Sequence, residues 1–326
     1  MKIVRPLLWN NPMPSTFHPD ALRAELQALD ARQPLSAAAQ AYQQYYGLDY
    51  SALGIRVTSY LGVFKAAGFD LVGQCWLPER PVGTLVMLHG FYDHMGLYRH
   101  VVAWAVAQGY AVLSFDLPGH GLSSGPRASI RSFAQYQVAL DALFVEGRAL
   151  DLPRPWHLLG QSTGGAIAID HLLNHHQSSP VDGETVLLAP LVRPRAWGWS
   201  KLSYYALRPF VGGIARRFSE NSNDPDFLPF LQADPLQPKR LPTAWVGALA
   251  QWIPVIESSM PSGRSPIVIQ GEADMTVDWQ YNLKVIEQKF SQPRILRIAE
   301  ARHHLVNELE AIRARYFDYL GQCLGA

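Results

Sequence analysis

Short continuous apolar runs alternate with helical segments from residue 85 onward, and this alternation constrains the fold more than any other feature of the chain. The runs occupy, in order, residues 85–88, 111–115, 156–159, 185–188, 267–269 and 295–298. Strands of a parallel sheet have this composition because helices cover both of its faces. The pattern predicts an α/β fold with a mostly parallel central sheet and helices on both faces.

Helical segments fill the gaps between these runs. They are predicted over residues 98–108, 132–150, 164–176, 278–289 and 306–322. Gly109 suits the end of the first helix and Ser132 the N-cap of the second. Upstream, residues 55–64 and 69–77 are predicted to form two strands joined by a turn, which suits an antiparallel pair at the sheet edge.

The chain divides into three predicted parts. The core is expected to comprise residues 55–190 and 263–326, whereas residues 191–262 break the alternation with a series of prolines. Because this stretch follows a strand, it is expected to form a cap or lid inserted over the strand ends. Residues 1–54 are predicted to be an N-terminal helical extension, with short helices over 20–32 and 36–46.

Composition and charge bear on location and partners. The 326 residues are 48% hydrophobic and carry a net charge of +1, so no overall field attracts nucleic acid, and no nucleic-acid partner is predicted. The chain has no apolar run of about 18 residues that would span a membrane. Its first twelve residues lack the apolar stretch and the cleavage site of a signal peptide, so a cytoplasmic location is expected. Cys75 and Cys323 are expected to be reduced thiols.

Residues 160–164 read GQSTG and match the motif G-x-S-x-G. They follow a buried run and precede a helix, which is the context that the motif requires. A sharp turn from strand to helix strains the serine backbone and needs small neighbours, and it presents the hydroxyl at a helix N-terminus where an anion is favoured. Ser162 is therefore predicted to be a nucleophile.

A serine nucleophile needs a base and an orienting acid, which follow it along the chain in this type of fold. Asp274 lies in the loop after the run 267–269 and is the predicted acid. Glu272 and Asp278 are its rivals, although Asp278 is better placed to cap the following helix. The base follows the last run, where the adjacent His303 and His304 cannot both face the serine.

Backbone N–H groups are expected to hold the oxyanion that forms during attack on a carbonyl group. The predicted donors are the N–H groups of Phe91, which follows the run 85–88, and of Thr163. His89 is expected to be structural, with its ring hydrogen-bonded to the loop backbone.

No metal or cofactor is predicted. Residues 89–94 partly resemble the H-x-H-x-D-H pattern of metallo-hydrolases, but Phe91 occupies the middle ligand position. His171 and His175 lie one helical turn apart, but no H-E-x-x-H motif accompanies them.

Three further segments resemble one branch of the α/β-hydrolases, which contains monoacylglycerol lipases, lysophospholipases and serine aminopeptidase-like proteins. Residues 116–125 are similar to the branch's D-x-x-G-H-G-x-S-x-G run, and residues 234–236 (DPL) to a segment of its cap. Residues 303–308 (HHLVNE) are similar to its H-E-x-x-N-E ending, in which the first histidine is the base. The resemblance therefore implies that His303 is the base, with His304 where the branch usually has glutamate.

The resemblance also implies the α/β-hydrolase fold and esters of glycerol or lysophospholipids as substrates. The glycine-rich run of residues 116–125 most simply forms a tight turn, so Asp116 and His120 are not expected to take part in the chemistry. Dehalogenases and epoxide hydrolases share the fold but need aspartate in place of Ser162.

Residues 191–219 combine basic and aromatic side chains without an acidic one. The basic residues are Arg193, Arg195, Lys201, Arg208, Arg216 and Arg217, and the aromatic ones include Trp197, Trp199, Tyr204, Tyr205, Phe210 and Phe218. Such a mixture suits a membrane surface or an anionic substrate with an acyl chain, so the segment is expected to shape an apolar acyl tunnel and to touch lipid. The alternative is that the rings pack on the core and the arginines are solvated.

The sequence thus predicts a serine carboxylester hydrolase that forms an acyl-enzyme on Ser162 and acts on a small lipid-like acyl ester. Two alternatives stay open within the same chemistry, a serine aminopeptidase and a general short-chain carboxylesterase. A third is a ligand-binding protein with this fold but without turnover. The sequence does not indicate acyl chain length, head group or oligomeric state.

Overall fold

The computed structural model describes residues 17–51, 54–175 and 179–325, so the first twelve residues, where no signal peptide was recognised, lie outside the described part. Its strands, in chain order, are β1 Val57–Ala66, β2 Phe69–Pro78, β3 Gly83–Leu88, β4 Tyr110–Phe115, β5 Trp156–Gln161, β6 Thr185–Leu188, β7 Gly213–Ala215, β8 Arg240–Pro242, β9 Ile267–Gly271 and β10 Arg294–Ile298. Eight of them form one sheet in the order β1-β2-β4-β3-β5-β6-β9-β10. The pairs β1–β2 and β2–β4 are antiparallel, and the remaining pairs are parallel.

The α-helices, in chain order, are α1 Pro19–Glu25, α2 Ala37–Tyr46, α3 Arg99–Ala107, α4 Ala134–Ala149, α5 Thr163–Asp170, α6 Trp197–Leu207, α7 Phe227–Ala233, α8 Thr243–Ser258, α9 Trp279–Lys289 and α10 Glu310–Leu324. Short 3₁₀ turns cover Leu29–Ala31, Met95–Tyr98 and Leu305–Asn307, and a π-helical turn covers His171–His175. None of the described helices has both the length and the apolar character required to cross a bilayer.

Side chains of the central strands enter two separate apolar cores. In β3, Val86 and Leu88 join the core that contains α4, α5 and α8, whereas Leu85 and Met87 join the one that contains α3 and α10. All four side chains are fully buried. Alternate residues of a strand point to opposite faces, so both faces of the sheet are covered by helices, which confirms the predicted α/β architecture.

The helices differ from prediction mainly at their ends. The predicted helix over 20–32 stops at Glu25, because the next residues leave the helix and pair with the sheet edge, where the Val63 N–H donates to the Gln27 carbonyl at 2.8 Å. Helix α4 begins two residues after Ser132, whose hydroxyl accepts the N–H of Ala134 at 3.3 Å. Gly109 does follow α3 in the left-handed conformation, with φ +90°.

The N-terminal residues that the structure describes pack against both the core and the stretch 191–262. Tyr46, at the end of α2, donates its hydroxyl to Asp234 Oδ1 at 2.7 Å, and His94 Nε2 lies 2.8 Å from Asp234 Oδ2. All three residues are buried. Asp234 therefore joins the N-terminal helices, the loop after β3 and the stretch that was predicted to be a cap.

Within residues 191–262 the two long helices have different surroundings. Helix α8 contributes Trp245, Leu249 and Trp252 to the apolar core, whereas α6 has no buried residue. Strands β7 and β8 form a small antiparallel sheet between them. Only part of this stretch is thus an outer layer.

Candidate active site

Ser162, Asp274 and His303 lie at the same edge of the sheet. Ser162 directly follows β5, Asp274 follows β9 and His303 follows β10, and these strands run parallel. The carboxyl ends of parallel strands meet at one edge, where open α/β sheets bind their ligands. The structure therefore brings together the three side chains that were predicted from distant parts of the chain.

Ser162 occupies the strained turn that its motif predicts. Its backbone has φ +53° and ψ −110°, and helix α5 begins at the next residue. A Cβ atom on Gly160 would lie 2.3 Å from the carbonyl oxygen of Gly164, and one on Gly164 would lie 2.2 Å from the carbonyl oxygen of Leu88. No larger residue fits at either glycine without movement of the backbone, so the turn depends on both.

One continuous row of hydrogen bonds links the three side chains. Ser162 Oγ lies 3.0 Å from His303 Nε2, and His303 Nδ1 lies 2.7 Å from Asp274 Oδ2. The other carboxylate oxygen, Oδ1, accepts the N–H groups of Thr276 at 2.7 Å and Val277 at 3.1 Å. With its proton on Nδ1, the imidazole leaves Nε2 free to accept the serine proton. We refer to Ser162, His303 and Asp274 as the candidate triad.

The electrostatics favour a charged acid and a basic imidazole. Burial by itself would raise the pKa of Asp274, but the charge of His303, its hydrogen bond and the two backbone N–H groups outweigh burial and lower that pKa. Burial would likewise lower the pKa of His303, but Asp274 and, more weakly, Asp93 outweigh it and raise the pKa above the usual value. An imidazolium formed during catalysis is therefore stabilised where it forms.

The competing residues are engaged elsewhere. Glu272 lies 3.4 Å from Arg297, and Asp278 caps α9 by accepting the Tyr281 N–H at 3.3 Å. His304 Nε2 lies 3.0 Å from Asp93 Oδ2 and does not bond to the serine. Each of the adjacent histidines thus has a carboxylate of its own.

The Asp93–His304 pair connects the base loop to the loop after β3. Asp93 Oδ2 also accepts the Tyr98 hydroxyl at 2.9 Å, and that hydroxyl accepts the N–H of Gly90 at 2.8 Å. Burial would raise the pKa of Asp93, but His304 and Tyr98 help to lower it, so the carboxylate stays charged. Sequence reasoning missed this pair, because 211 positions separate its members and no local motif links them.

Two buried glutamines also donate hydrogen bonds to members of the candidate triad. Gln161 Nε2 donates to the backbone carbonyl of His303 at 2.8 Å, and Gln270 Nε2 donates to Asp274 Oδ2 at 3.3 Å. Neither was singled out from the sequence. Gln161 occupies a variable position of the serine motif, which gave no signal for such a contact.

The two predicted oxyanion donors, the N–H groups of Phe91 and Thr163, belong to the loop after β3 and to the first residue of α5. Thr163 is the first residue of α5, so its N–H has no acceptor within the helix. In the part of the chain that the structure describes, no hydrogen bond uses the Phe91 N–H. Phe91 follows Gly90, on which a Cβ atom would lie 3.4 Å from Ser162 Cβ.

Both ring nitrogens of His89 bond to the backbone, as predicted. Nε2 accepts the Leu117 N–H at 2.8 Å, so the proton lies on Nδ1, which donates to the Gly90 carbonyl at 2.8 Å. Burial lowers the pKa of His89 to about 3, which keeps the ring neutral. Asp116 accepts the N–H groups of Met95 and Leu122 and so organises the tight turn that was expected around it.

The stretch 191–262 reaches this site through Trp245 of α8. Its indole ring stacks on the ring of Phe91 with centroids 3.8 Å apart and an interplanar angle of 20°. The ring of Phe133 also lies near Trp245, with centroids 6.4 Å apart. An apolar aromatic wall therefore borders the loop that contains one of the predicted oxyanion donors.

Comparison with known proteins assigns the sequence that forms this site to a family. The sequence model of the family described as serine aminopeptidase, S33, matches residues 79–310. The chain is 26% identical over 264 residues to a monoacylglycerol lipase of Mycolicibacterium smegmatis, a match that covers 77% of this chain and 91% of that one. It is 39% identical over 95 residues to the phospholipase YtpA of Bacillus subtilis, but that match covers 29% of this chain and only 36% of that protein.

Solved structures agree on the fold. The crystal structure of a soluble variant of monoglyceride lipase from Saccharomyces cerevisiae matches with a TM-score of 0.69 and 18% identity, covering 81% of this chain and 95% of that one. Because the family match spans most of the chain and contains all three members of the candidate triad, this protein belongs to the serine aminopeptidase S33 family of α/β-hydrolase-fold enzymes.

Proposed function

We propose that the chain is a serine carboxylester hydrolase that cleaves lipid-like acyl esters through an acyl-enzyme on Ser162. The observation that carries this proposal is the continuous hydrogen-bonded row from Ser162 Oγ through His303 to Asp274. A nucleophile, a base and an orienting acid in that geometry are what acyl transfer by a serine requires.

In the first half of the reaction, His303 Nε2 takes the proton of Ser162 as Oγ bonds to the ester carbonyl carbon. The carbonyl oxygen becomes an oxyanion and accepts the N–H groups of Phe91 and Thr163. The carbon–oxygen bond to the alcohol then breaks, and His303 gives its proton to the leaving oxygen. The acyl group stays on Ser162, and Asp274 stabilises the imidazolium between the two proton transfers.

In the second half, His303 takes a proton from water as the water oxygen attacks the acyl carbon. The same two N–H groups hold the second oxyanion. The bond from the carbon to Ser162 Oγ then breaks, His303 returns its proton to Oγ, and the free acid departs. No cofactor enters either half.

The lipid-like substrate is supported by the surroundings of the serine and by the names of the relatives. The Phe91–Trp245 stack gives the site an apolar wall that suits an acyl chain better than a charged peptide N-terminus. Two relatives bear the names monoacylglycerol lipase and phospholipase.

A substrate panel tests this proposal. We expect p-nitrophenyl esters, a monoacylglycerol and a lysophospholipid to be hydrolysed, and aminoacyl-naphthylamides to be cleaved much more slowly. Faster cleavage of the naphthylamides would favour the aminopeptidase alternative, and activity confined to acetyl and butyryl esters would favour a short-chain esterase. A protein that turns over none of them and resists a fluorophosphonate probe would be a binding protein.

We further propose that residues 191–262 act as a cap over this site. Besides Trp245, residues 221–223 bond directly to the loop of the base. The His304 N–H donates to the Asn221 carbonyl at 2.7 Å, and the Ser222 hydroxyl donates to the Asn307 carbonyl at 2.7 Å. These contacts fix part of the cap next to the proposed base.

The outer part of the cap is proposed to contact membrane lipid. Trp199, Leu202 and Phe210 are 75%, 60% and 82% exposed, and Lys201 and Arg208 lie among them. Exposed apolar and basic side chains together favour an anionic bilayer surface. The cytoplasmic location expected from the sequence stays a prediction.

Vesicle flotation tests this contact. The wild-type chain should float with vesicles of phosphatidylcholine and phosphatidylglycerol, and the double variant Trp199→Ala/Phe210→Ala should bind them at least about tenfold more weakly, because two large apolar side chains are lost. The matched control is Val138→Ala/Val145→Ala, which removes two exposed valines from α4. If the wild-type chain does not float with vesicles of any composition, the proposed contact with membrane lipid is wrong.

A further inference from the structure

Arg216 lies in the proposed cap, immediately after β7, and its guanidinium contacts two aromatic rings. Its central carbon, Cζ, lies 4.1 Å from the ring centroid of Tyr92 and 4.3 Å from that of Phe218. Tyr92 follows Phe91 in the chain, and their ring centroids are 4.1 Å apart. Arg216 therefore borders the loop that contains a proposed oxyanion donor, on the side of Tyr92.

The side-chain hydrogen bonds of Arg216 use only one of its two terminal nitrogens. Nη1 donates to Gln237 Oε1 at 2.6 Å and to the Pro238 carbonyl at 3.3 Å. Within residues 17–51, 54–175 and 179–325, no other acceptor bonds to the guanidinium and no carboxylate pairs with it. The N–H groups on Nε and Nη2 remain available.

This arrangement leaves a positive charge without a partner. Burial lowers the pKa of Arg216, while the more distant carboxylates of Asp93 and Asp234 act in the opposite direction. An arginine stays charged in proteins, so a partly buried guanidinium is best stabilised by an anion that bonds to it directly. Within the described chain, that anion is missing.

The two unused donor groups match a particular kind of anion. A guanidinium is planar, so the N–H groups on Nε and Nη2 form a side-by-side pair of donors in one plane. A planar pair of donors matches two oxygens of a phosphate or carboxylate. The hydroxyl groups of a neutral glycerol carry no charge and gain much less from the same donors.

We propose that Arg216 binds the phosphate of a lysophospholipid substrate while its ester carbonyl lies at Ser162. This inference rests on the proposed esterase function and deepens it, because it assigns the head group. Arg216 then selects lysophospholipids over monoacylglycerols through binding and takes no part in the bond-breaking steps.

The test compares two substrates with the same hexanoyl chain, a lysophosphatidylglycerol and a monoacylglycerol. Both are assayed below the concentration at which they aggregate, so that no lipid surface is present. The wild-type chain should have the higher kcat/KM with the phosphate-containing substrate. Arg216→Gln should lower the ratio of the two kcat/KM values by about 10- to 100-fold, mainly through the KM of the lysophospholipid.

Two further variants separate a bound phosphate from a structural role. Arg216→Lys keeps the charge but loses the paired donors, so its ratio should fall between those of the wild type and Arg216→Gln. Arg217→Gln removes the neighbouring exposed arginine and should keep the wild-type ratio. Thermal unfolding of each variant checks that the fold is retained.

Several results would overturn the inference. An unchanged ratio in Arg216→Gln, an equal loss on both substrates, or the same change in Arg217→Gln would each do so. If the preference is absent in this surface-free assay and appears only when both substrates are presented in anionic vesicles, Arg216 acts at the lipid surface and the inference is likewise overturned. If p-nitrophenyl butyrate is not hydrolysed and Ser162 resists the fluorophosphonate probe, the esterase proposal itself has failed.

Discussion

Replacing Ser162 with alanine should lower kcat for p-nitrophenyl butyrate about a millionfold, because no other oxygen can form the acyl-enzyme. The variant keeps the backbone N–H groups of Phe91 and Thr163, so a residual rate above that of water is expected from oxyanion stabilisation alone. Stopped assays with long incubation measure that residual rate. The fluorophosphonate probe should label the wild-type chain once and leave Ser162→Ala unlabelled.

Alanine is smaller than serine and fits the same turn, so the fold should survive the change. Thermal unfolding within a few degrees of the wild-type midpoint provides this control. A folded Ser162→Ala protein that retains most of its esterase activity would show that the nucleophile is another group.

Asp274→Asn should lower kcat about ten-thousandfold while leaving the fold intact. The N–H groups of Thr276 and Val277 donate to Oδ1, so the asparagine must keep its carbonyl oxygen there. Its NH₂ group then faces His303 Nδ1, which must accept. The imidazole proton moves to Nε2, and that nitrogen can no longer take the proton of Ser162.

The matched control for this change is Asp278→Asn in the same loop. Asp278 caps α9 through a hydrogen bond that asparagine also makes, so neither kcat nor the unfolding midpoint should change appreciably. Equal activity losses in Asp274→Asn and Asp278→Asn would point to general disturbance of the loop rather than to a loss of the correct tautomer.

The strand pattern and the serine turn could be predicted because their signals are local. Each central strand of the sheet coincides with a short apolar run, and Thr185–Leu188 matches its run residue for residue. The G-x-S-x-G motif specified a turn whose geometry tolerates only small neighbours, so it predicted both the place of Ser162 and the start of α5.

The contacts around the candidate triad could not be predicted, because they join residues that share no local pattern. Asp93 was considered only as part of a broken metal motif, yet it bonds to His304. Gln161 gave no signal in its motif position but holds the backbone of His303. Only the folded chain shows that Arg216 contacts the rings of Tyr92 and Phe218.

Some predicted helix ends were wrong for a similar reason. Residues 26–28 carry ordinary helix-forming side chains, but pairing with the exposed edge of the sheet is the stronger interaction, so the helix ends early. Tertiary contacts of this kind override local helix propensity.

That same contact has a consequence for the behaviour of the protein at high concentration. A Cβ atom on Gly62 of β1 would lie 2.6 Å from Leu29 Cα and 2.8 Å from the Gln27 carbonyl oxygen, so residues 27–29 lie directly against this edge strand of the sheet. Uncovered edge strands offer free N–H and C=O groups to neighbouring molecules and seed aggregates. Because residues 27–29 occupy part of this edge, we expect them to reduce self-association, a role independent of any chemistry at the serine.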